Sequence, residues 1–140
     1  MLKGIPPIIS PELMKTLMEM GHGDEIVLAD GNFPSASHTE HLVRCDGHGI
    51  PELLTAILEF FPLDTYVEHP VICMDVVSRD PVPTIWTEYE EIINDQFKYP
   101  VPMKCIDRFE FYERTKKAYA VVATSEQSKY ANIILKKGVI

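Results

Sequence analysis

Leu13, Met14, Leu17 and Met18 recur at the spacing of one helix face and predict the first helix of the chain. Ser10 stands where an N-cap is wanted, Pro11 suits the first helical position, and Glu12 complements the positive helix end. Gly21 is a natural stop. The period then changes. Residues 25–29, Glu-Ile-Val-Leu-Ala, form an apolar run of the kind seen in strands buried on both faces, and Asp30-Gly31-Asn32-Phe33-Pro34 after it is turn chemistry.

A second strand is expected over 41–45, closed by Asp46-Gly47. Pro51 opens a helix with Leu53, Leu54, Ile57, Leu58 and Phe61 on one face, and Pro62 follows it. Residues 71–77 read as a central strand, and 84–97 as an amphipathic helix with Ile85, Tyr89, Ile92 and Ile93 inward. A short strand over 103–106, a helix over 109–117, and strands over 119–124 and 132–135 complete the pattern. Strands alternate with helices and several are apolar on both faces, which predicts a layered α/β domain with a largely buried sheet. No repeat or linker interrupts it, so residues 1–140 are expected to form one domain.

Composition narrows the function classes. The chain has 140 residues and a net charge of −8, which disfavours nonspecific binding to nucleic-acid phosphates or an anionic membrane. Cys45, Cys73 and Cys105 are odd in number, with no CxxC, which is poor material for a disulfide framework or a cysteine zinc site. No stretch approaches 18 apolar residues, and the first residues lack the pattern of a secretory signal. A cytoplasmic protein that contacts neither membrane nor nucleic acid is the expectation.

Candidate chemistry is spread along the chain. His22 lies between Gly21 and Gly23 with Asp24 close by. A histidine in such an uncrowded turn is either an exposed turn residue or an acid–base group, its unperturbed pKa being about 6.5. Asp30 ends a buried strand, where ligands sit in open α/β sheets and where aspartates also bond their own turns. His38-Thr39-Glu40-His41 has an HxxH spacing, but its second histidine falls at a strand start and no metalloprotease glutamate accompanies it, so no metal is expected. Arg108-Phe109-Glu110-Phe111-Tyr112-Glu113-Arg114 offers aromatic faces and donors suited to a sugar, or an ordinary helix with its Phe residues inward. Tyr130 and Asn132, two apart and read as strand, are expected on one side, free to bond a polyol or to finish the sheet edge. Trp86, Tyr89, Phe97 and Tyr99 are either core or surface spent on subunit contacts. No GxGxxG, P-loop, GxSxG or HExxH is present, which leaves no sign of a nucleotide, a covalent serine intermediate or a catalytic zinc.

Taken in order, these segments resemble the L-fucose mutarotase family, of the superfamily that also holds D-ribose pyranase. The resemblance runs through Met20-Gly21-His22-Gly23-Asp24-Glu25, Ala29-Asp30, Asn32-Phe33-Pro34, Arg44, Asp46-Gly47 and Leu63-Asp64-Thr65-Tyr66. It continues in Trp86-Thr87-Glu88-Tyr89, the 108–114 block, Lys129-Tyr130-Ala131-Asn132 and Leu135-Lys136-Lys137-Gly138-Val139, almost the whole chain. It implies a single three-layer α/β/α domain and self-assembly, commonly a homodecamer with active sites between subunits. It also implies interconversion of the anomers of a free monosaccharide, L-fucose, without metal, nucleotide or other cofactor. His22 matches the catalytic position and Tyr112 a tyrosine with a binding or proton-transfer role. Asp30, Arg108, Tyr130 and Asn132 match sugar-binding positions, with Asp64 and Met74 matching positions near the sugar. Ala131 replaces a glycine common in the family. A D-ribose pyranase-type activity and a non-catalytic sugar-binding assembly remain as alternatives. Arg108 bears on fucose against ribose, and Trp86 adds aromatic surface suited to a methylated hexose.

Overall fold

A computed structural model describes residues 1–140. Its centre is one six-stranded sheet built from β1 (Glu25–Ala29), β2 (Leu42–Cys45), β3 (Val71–Met74), β4 (Met103–Ile106), β5 (Ala120–Thr124) and β6 (Ile133–Lys136). The strand order is β2-β5-β1-β6-β3-β4. Five strands run the same way, while β6 lies antiparallel between β1 and β3, with Leu28 opposite Ile133 and Cys73 opposite the same residue. The carboxyl ends of β1 to β5 therefore share one edge of the sheet with the start of β6.

Helices α1 (Pro11–Glu19), α2 (Ile50–Leu58) and α3 (Ile85–Gln96) cover one face, and α4 (Arg108–Lys117) covers the other, giving the expected three layers. The apolar run of β1 serves both cores. Ile26 and Leu28 join the larger one with Leu13, Leu53 and Tyr89, while Val27 and Ala29 face Phe111, Ile72 and Val121. Ser10 caps α1 by accepting the Leu13 N–H at 3.1 Å, and the Asp107 carboxylate accepts the N–H groups of Phe109 and Glu110 at the start of α4. Arg114 ties α4 to the sheet through two bonds to Glu25, at 2.9 and 2.8 Å.

Three expectations change. The apolar run 71–77 leaves the sheet after Met74 because β4 ends at Ile106 and β6 starts at Ile133, so no ladder continues beside it. β3 also lies next to an edge and is not central. Met18 is exposed and borders an apolar cleft of about 890 Å³ against the N-terminal segment instead of the core, while Met14 lines that cleft and also packs on the core. Tyr89 is fully buried and Trp86 half-buried, so of the four aromatics only Tyr99 is exposed, its ring tilted against Phe97. Cys73 and Cys105, far apart in sequence, are register partners on β3 and β4, and both are free thiols. Their mutual contact and burial push the Cys73 thiol up.

Candidate active site

The residues singled out from the sequence fall into two groups at opposite ends of the sheet. At the carboxyl end of β1, Asp30 is buried and meets Asn132, which immediately precedes β6. Asn132 Oδ1 accepts the Asp30 backbone N–H at 2.8 Å, and its Nδ2 donates to Asp30 Oδ2 at 3.0 Å. Asp30 Oδ1 accepts the Asn32 N–H at 3.0 Å. The turn role and the ligand-facing role foreseen for Asp30 are thus compatible. Burial raises the Asp30 pKa, only partly opposed by these donors.

A cleft of about 180 Å³ opens beside this pair, lined by Asp30, Phe33, Met74, Tyr112, Tyr130 and Asn132 among others. Asn132 Nδ2 also lies 3.9 Å from the Met74 sulfur. Tyr112 packs against Phe33 and His38, with ring centroids 5.5 and 5.2 Å apart. Phe111, one residue before it, carries the inward packing of the 108–114 block, while Phe109 is exposed. Arg108 is exposed over the Phe109 ring at 4.7 Å, and its charge acts on Tyr130. Tyr130 does not sit on a strand as read from the sequence. It adopts φ 56°, the left-handed region, which costs a non-glycine residue roughly 1–2 kcal/mol. Its hydroxyl donates to Asp80, a bond that raises the tyrosine pKa. Trp86 does not line this cleft; its indole N–H donates to the Tyr130 carbonyl at 2.9 Å.

His22 and Asp64 lie at the other end, beside the close of β6. The Gly23 N–H donates to Lys137 O at 2.8 Å and the Asp64 N–H to Lys136 O at 3.0 Å. Gly23 has φ 86°, which suits glycine and turns the chain from His22 into β1. His22 Nε2 lies 3.1 Å from Asp64 Oδ1, with the imidazole 45% exposed and the carboxylate 3%. Asp24, close to His22 in sequence, takes a turn role and accepts the Gly21 N–H at 2.8 Å. Burial pushes the Asp64 carboxyl up, but the Tyr66 N–H, His22 and Lys136 outweigh it and hold it below the usual carboxylate range. Tyr66 stands beside the imidazole, with centroids 5.4 Å apart. Gly138 makes this end possible, since a Cβ there would meet Leu63 O at 2.5 Å and Asp64 Cα at 2.8 Å.

The two ends are separated by the length of β1, on the order of 15 Å. His22 therefore does not reach Tyr112 or Asp30 within one chain. The HxxH histidines also part: His38 packs on Tyr112, while His41 meets Thr16 at 3.3 Å and the Tyr119 ring. Tyr119, whose orientation the sequence did not reveal, donates to Glu19 at 3.1 Å. Sequence reasoning missed Trp86 and Asp80 as partners of Tyr130, and no local pattern pointed to either.

A small cleft floored by a carboxylate–amide pair and walled by aromatic rings has the groups that bond and pack against a small polyhydroxylated molecule. Residues 3–140 match the family described as the RbsD / FucU transport protein family, and the chain belongs to it. It is 58% identical, over 99% of both chains and with a TM-score of 0.96, to the fucose mutarotase of Streptococcus pneumoniae, solved in complex with L-fucose. It is 52% identical to the fucose mutarotase of Homo sapiens over 99% of this chain and 94% of the relative. It is 50% identical to an L-fucose mutarotase of Haemophilus influenzae over 99% of this chain and 97% of the relative.

Proposed function

We propose that this chain is an L-fucose mutarotase, an isomerase interconverting the α and β anomers, whose complete active site forms between two copies. The observation that carries this reading is the Asp30–Asn132 pair facing one cleft with Tyr112 and Tyr130, in a chain similar end to end to a fucose mutarotase solved with L-fucose. The His22–Asp64 pair lies too far from that cleft to act on the same sugar in one subunit, so a neighbouring copy brings it. Asp30, Asn132, Tyr130 and Arg108 hold the sugar hydroxyls, and Met74 gives the cleft an apolar contact for the C6 methyl.

The chemistry is proton transfer in both directions. A base takes the proton of the anomeric hydroxyl while an acid protonates the ring oxygen, and the bond from C1 to that oxygen breaks to give the aldehyde. Rotation about C1–C2 and the reverse transfers close the ring on the other face. His22, oriented by buried Asp64, serves as one partner and Tyr112 as the other. General acid–base catalysis of this kind contributes about 10²–10⁴-fold. No cofactor enters. Residues 1–140 act as one domain, ten copies assemble into the ring, and the cytoplasm keeps the three free thiols reduced.

Exchange NMR on L-fucose tests the activity, with D-ribose and D-galactose as competing substrates. His22→Ala and Asp30→Asn should each be inactive alone. Mixed assemblies at equal ratio should recover about a quarter of the sites, because one site in four then pairs an intact His22 with an intact Asp30 cleft. Mixed oligomers that form by mass but recover nothing overturn the shared site. Faster exchange of ribose than fucose overturns the substrate.

A further inference from the structure

Tyr130 is the one residue other than glycine that this chain holds at positive φ. A bulky side chain crowds its own carbonyl there, so the conformation persists only where neighbours hold it. Those that hold its backbone and that of the next residue stand on one helix. Trp86, in the first turn of α3, donates its indole N–H to the Tyr130 carbonyl at 2.9 Å. Three residues on, and so on the same helix face, Tyr89 donates its hydroxyl to the next carbonyl, that of Ala131, at 2.7 Å. Tyr89 is fully buried, and desolvation raises its pKa, so it remains a neutral donor. Asn132 completes the run through its two bonds to Asp30. Each of three consecutive residues is therefore held by its own partners, and at the strained one Trp86 holds the backbone carbonyl while Asp80 holds the side-chain hydroxyl.

We infer that Trp86 is a positioning residue of the sugar cleft, its indole N–H holding Tyr130 in the left-handed conformation that brings the tyrosine ring to the cleft wall. The inference rests on the reading of this cleft as the sugar site. Loss of the donor leaves the Tyr130 carbonyl free to turn, and the residue relaxes toward ordinary negative φ. Its ring then tilts away from the wall about the hydroxyl that Asp80 holds, while Tyr89 keeps Ala131 in place and Asp30 keeps Asn132. Sugar binding weakens, and the proton-transfer groups stay where they were.

Trp86→Phe keeps an aromatic ring in the same pocket without the N–H. Replacement of Trp86 by benzothienylalanine, with sulfur where the N–H stood, preserves the shape entirely and serves if the Phe variant fails to fold. For either variant, KM for L-fucose by exchange NMR should rise roughly three- to tenfold, the loss of one neutral hydrogen bond, with kcat within about twofold of the parent. A crystal structure of the variant should show Tyr130 out of the positive-φ region. Retention of φ near 56° in a folded variant overturns the inference, as does an unchanged KM accompanied only by a lower Tm. If the parent protein exchanges no L-fucose anomers, the proposed function fails, and the Tyr130 φ of the variant still decides the role of Trp86.

Discussion

Asn132 grips Asp30 from both ends of its amide, accepting the Asp30 backbone N–H and donating to the Asp30 carboxylate, across 102 residues of sequence. A backbone N–H can only donate, so the amide has one orientation and cannot flip. The carboxylate keeps lone pairs free toward the cleft while its position is set by the sheet. Binding and structure are joined in this pair.

Asn132→Ala should leave the buried Asp30 N–H unpaired, which costs about 1–3 kcal/mol. The expected result is a Tm lower by several degrees together with weakened sugar binding. Asn132→Asp keeps an acceptor for the N–H but sets two carboxyl groups against each other. Its Tm deficit should therefore be small in acid and grow as the pH rises and both groups ionise. Thermal melts from pH 3 to 8 distinguish the two variants, and a constant deficit for Asn132→Asp would count against the geometry.

The Asp64 carboxyl is held below its ordinary range, so its contribution to stability is complete above the unfolded value of about 3.9. It is lost as the pH falls through the lower folded value, when the carboxyl protonates in the native state. Asp64→Asn should melt earlier than the parent at neutral pH, and the gap should close below about pH 4. Exchange of L-fucose anomers should also slow in this variant, since His22 loses the carboxylate that orients it.

Gly138→Ala tests the packing beneath that pair. The new Cβ would meet backbone atoms of residues 63 and 64, which cannot swing aside as a side chain tip does. Either the chain end or the segment carrying Asp64 must move. The expected outcome is a Tm loss of several degrees and slower anomer exchange. Retention of both would show that the 62–64 segment shifts without disturbing His22.

Arg108 has no carboxylate partner in its own chain and rests on Phe109. Arg108→Ala should therefore leave Tm nearly unchanged while reducing exchange of L-fucose. A hydrogen bond from a charged donor is worth about 1.5–3 kcal/mol, which corresponds to roughly ten- to a hundredfold. Arg108→His should retain more activity on D-ribose than on L-fucose. A large Tm loss for both variants, with equal loss on every sugar, would make Arg108 a structural residue at a subunit contact.

The local elements were legible from the chain because their causes are local. Ser10 and Pro11 stand at one helix start and Pro51 in the first turn of another, and the run 25–29 is apolar on both faces because both faces are covered. β1 and β4 match the bounds read from the sequence. The resemblance supplied Asp64 and Met74, which no periodicity would have marked. Where local pattern stood alone it misled: it extended β3 to Val77 and made that strand central.

Tertiary structure alone decided the rest, because strand order and cross-chain partners depend on pairings that no short window contains. β6 reverses between β1 and β3, and this reversal carries Asn132 to Asp30 at one end of the sheet and Lys136 to Asp64 at the other. The same topology sets the His22 pair and the Asp30 cleft a strand length apart, and places the indole of Trp86 on the carbonyl of Tyr130. A residue's local pattern states which face it prefers; which residue waits on that face is fixed only when distant segments share one core.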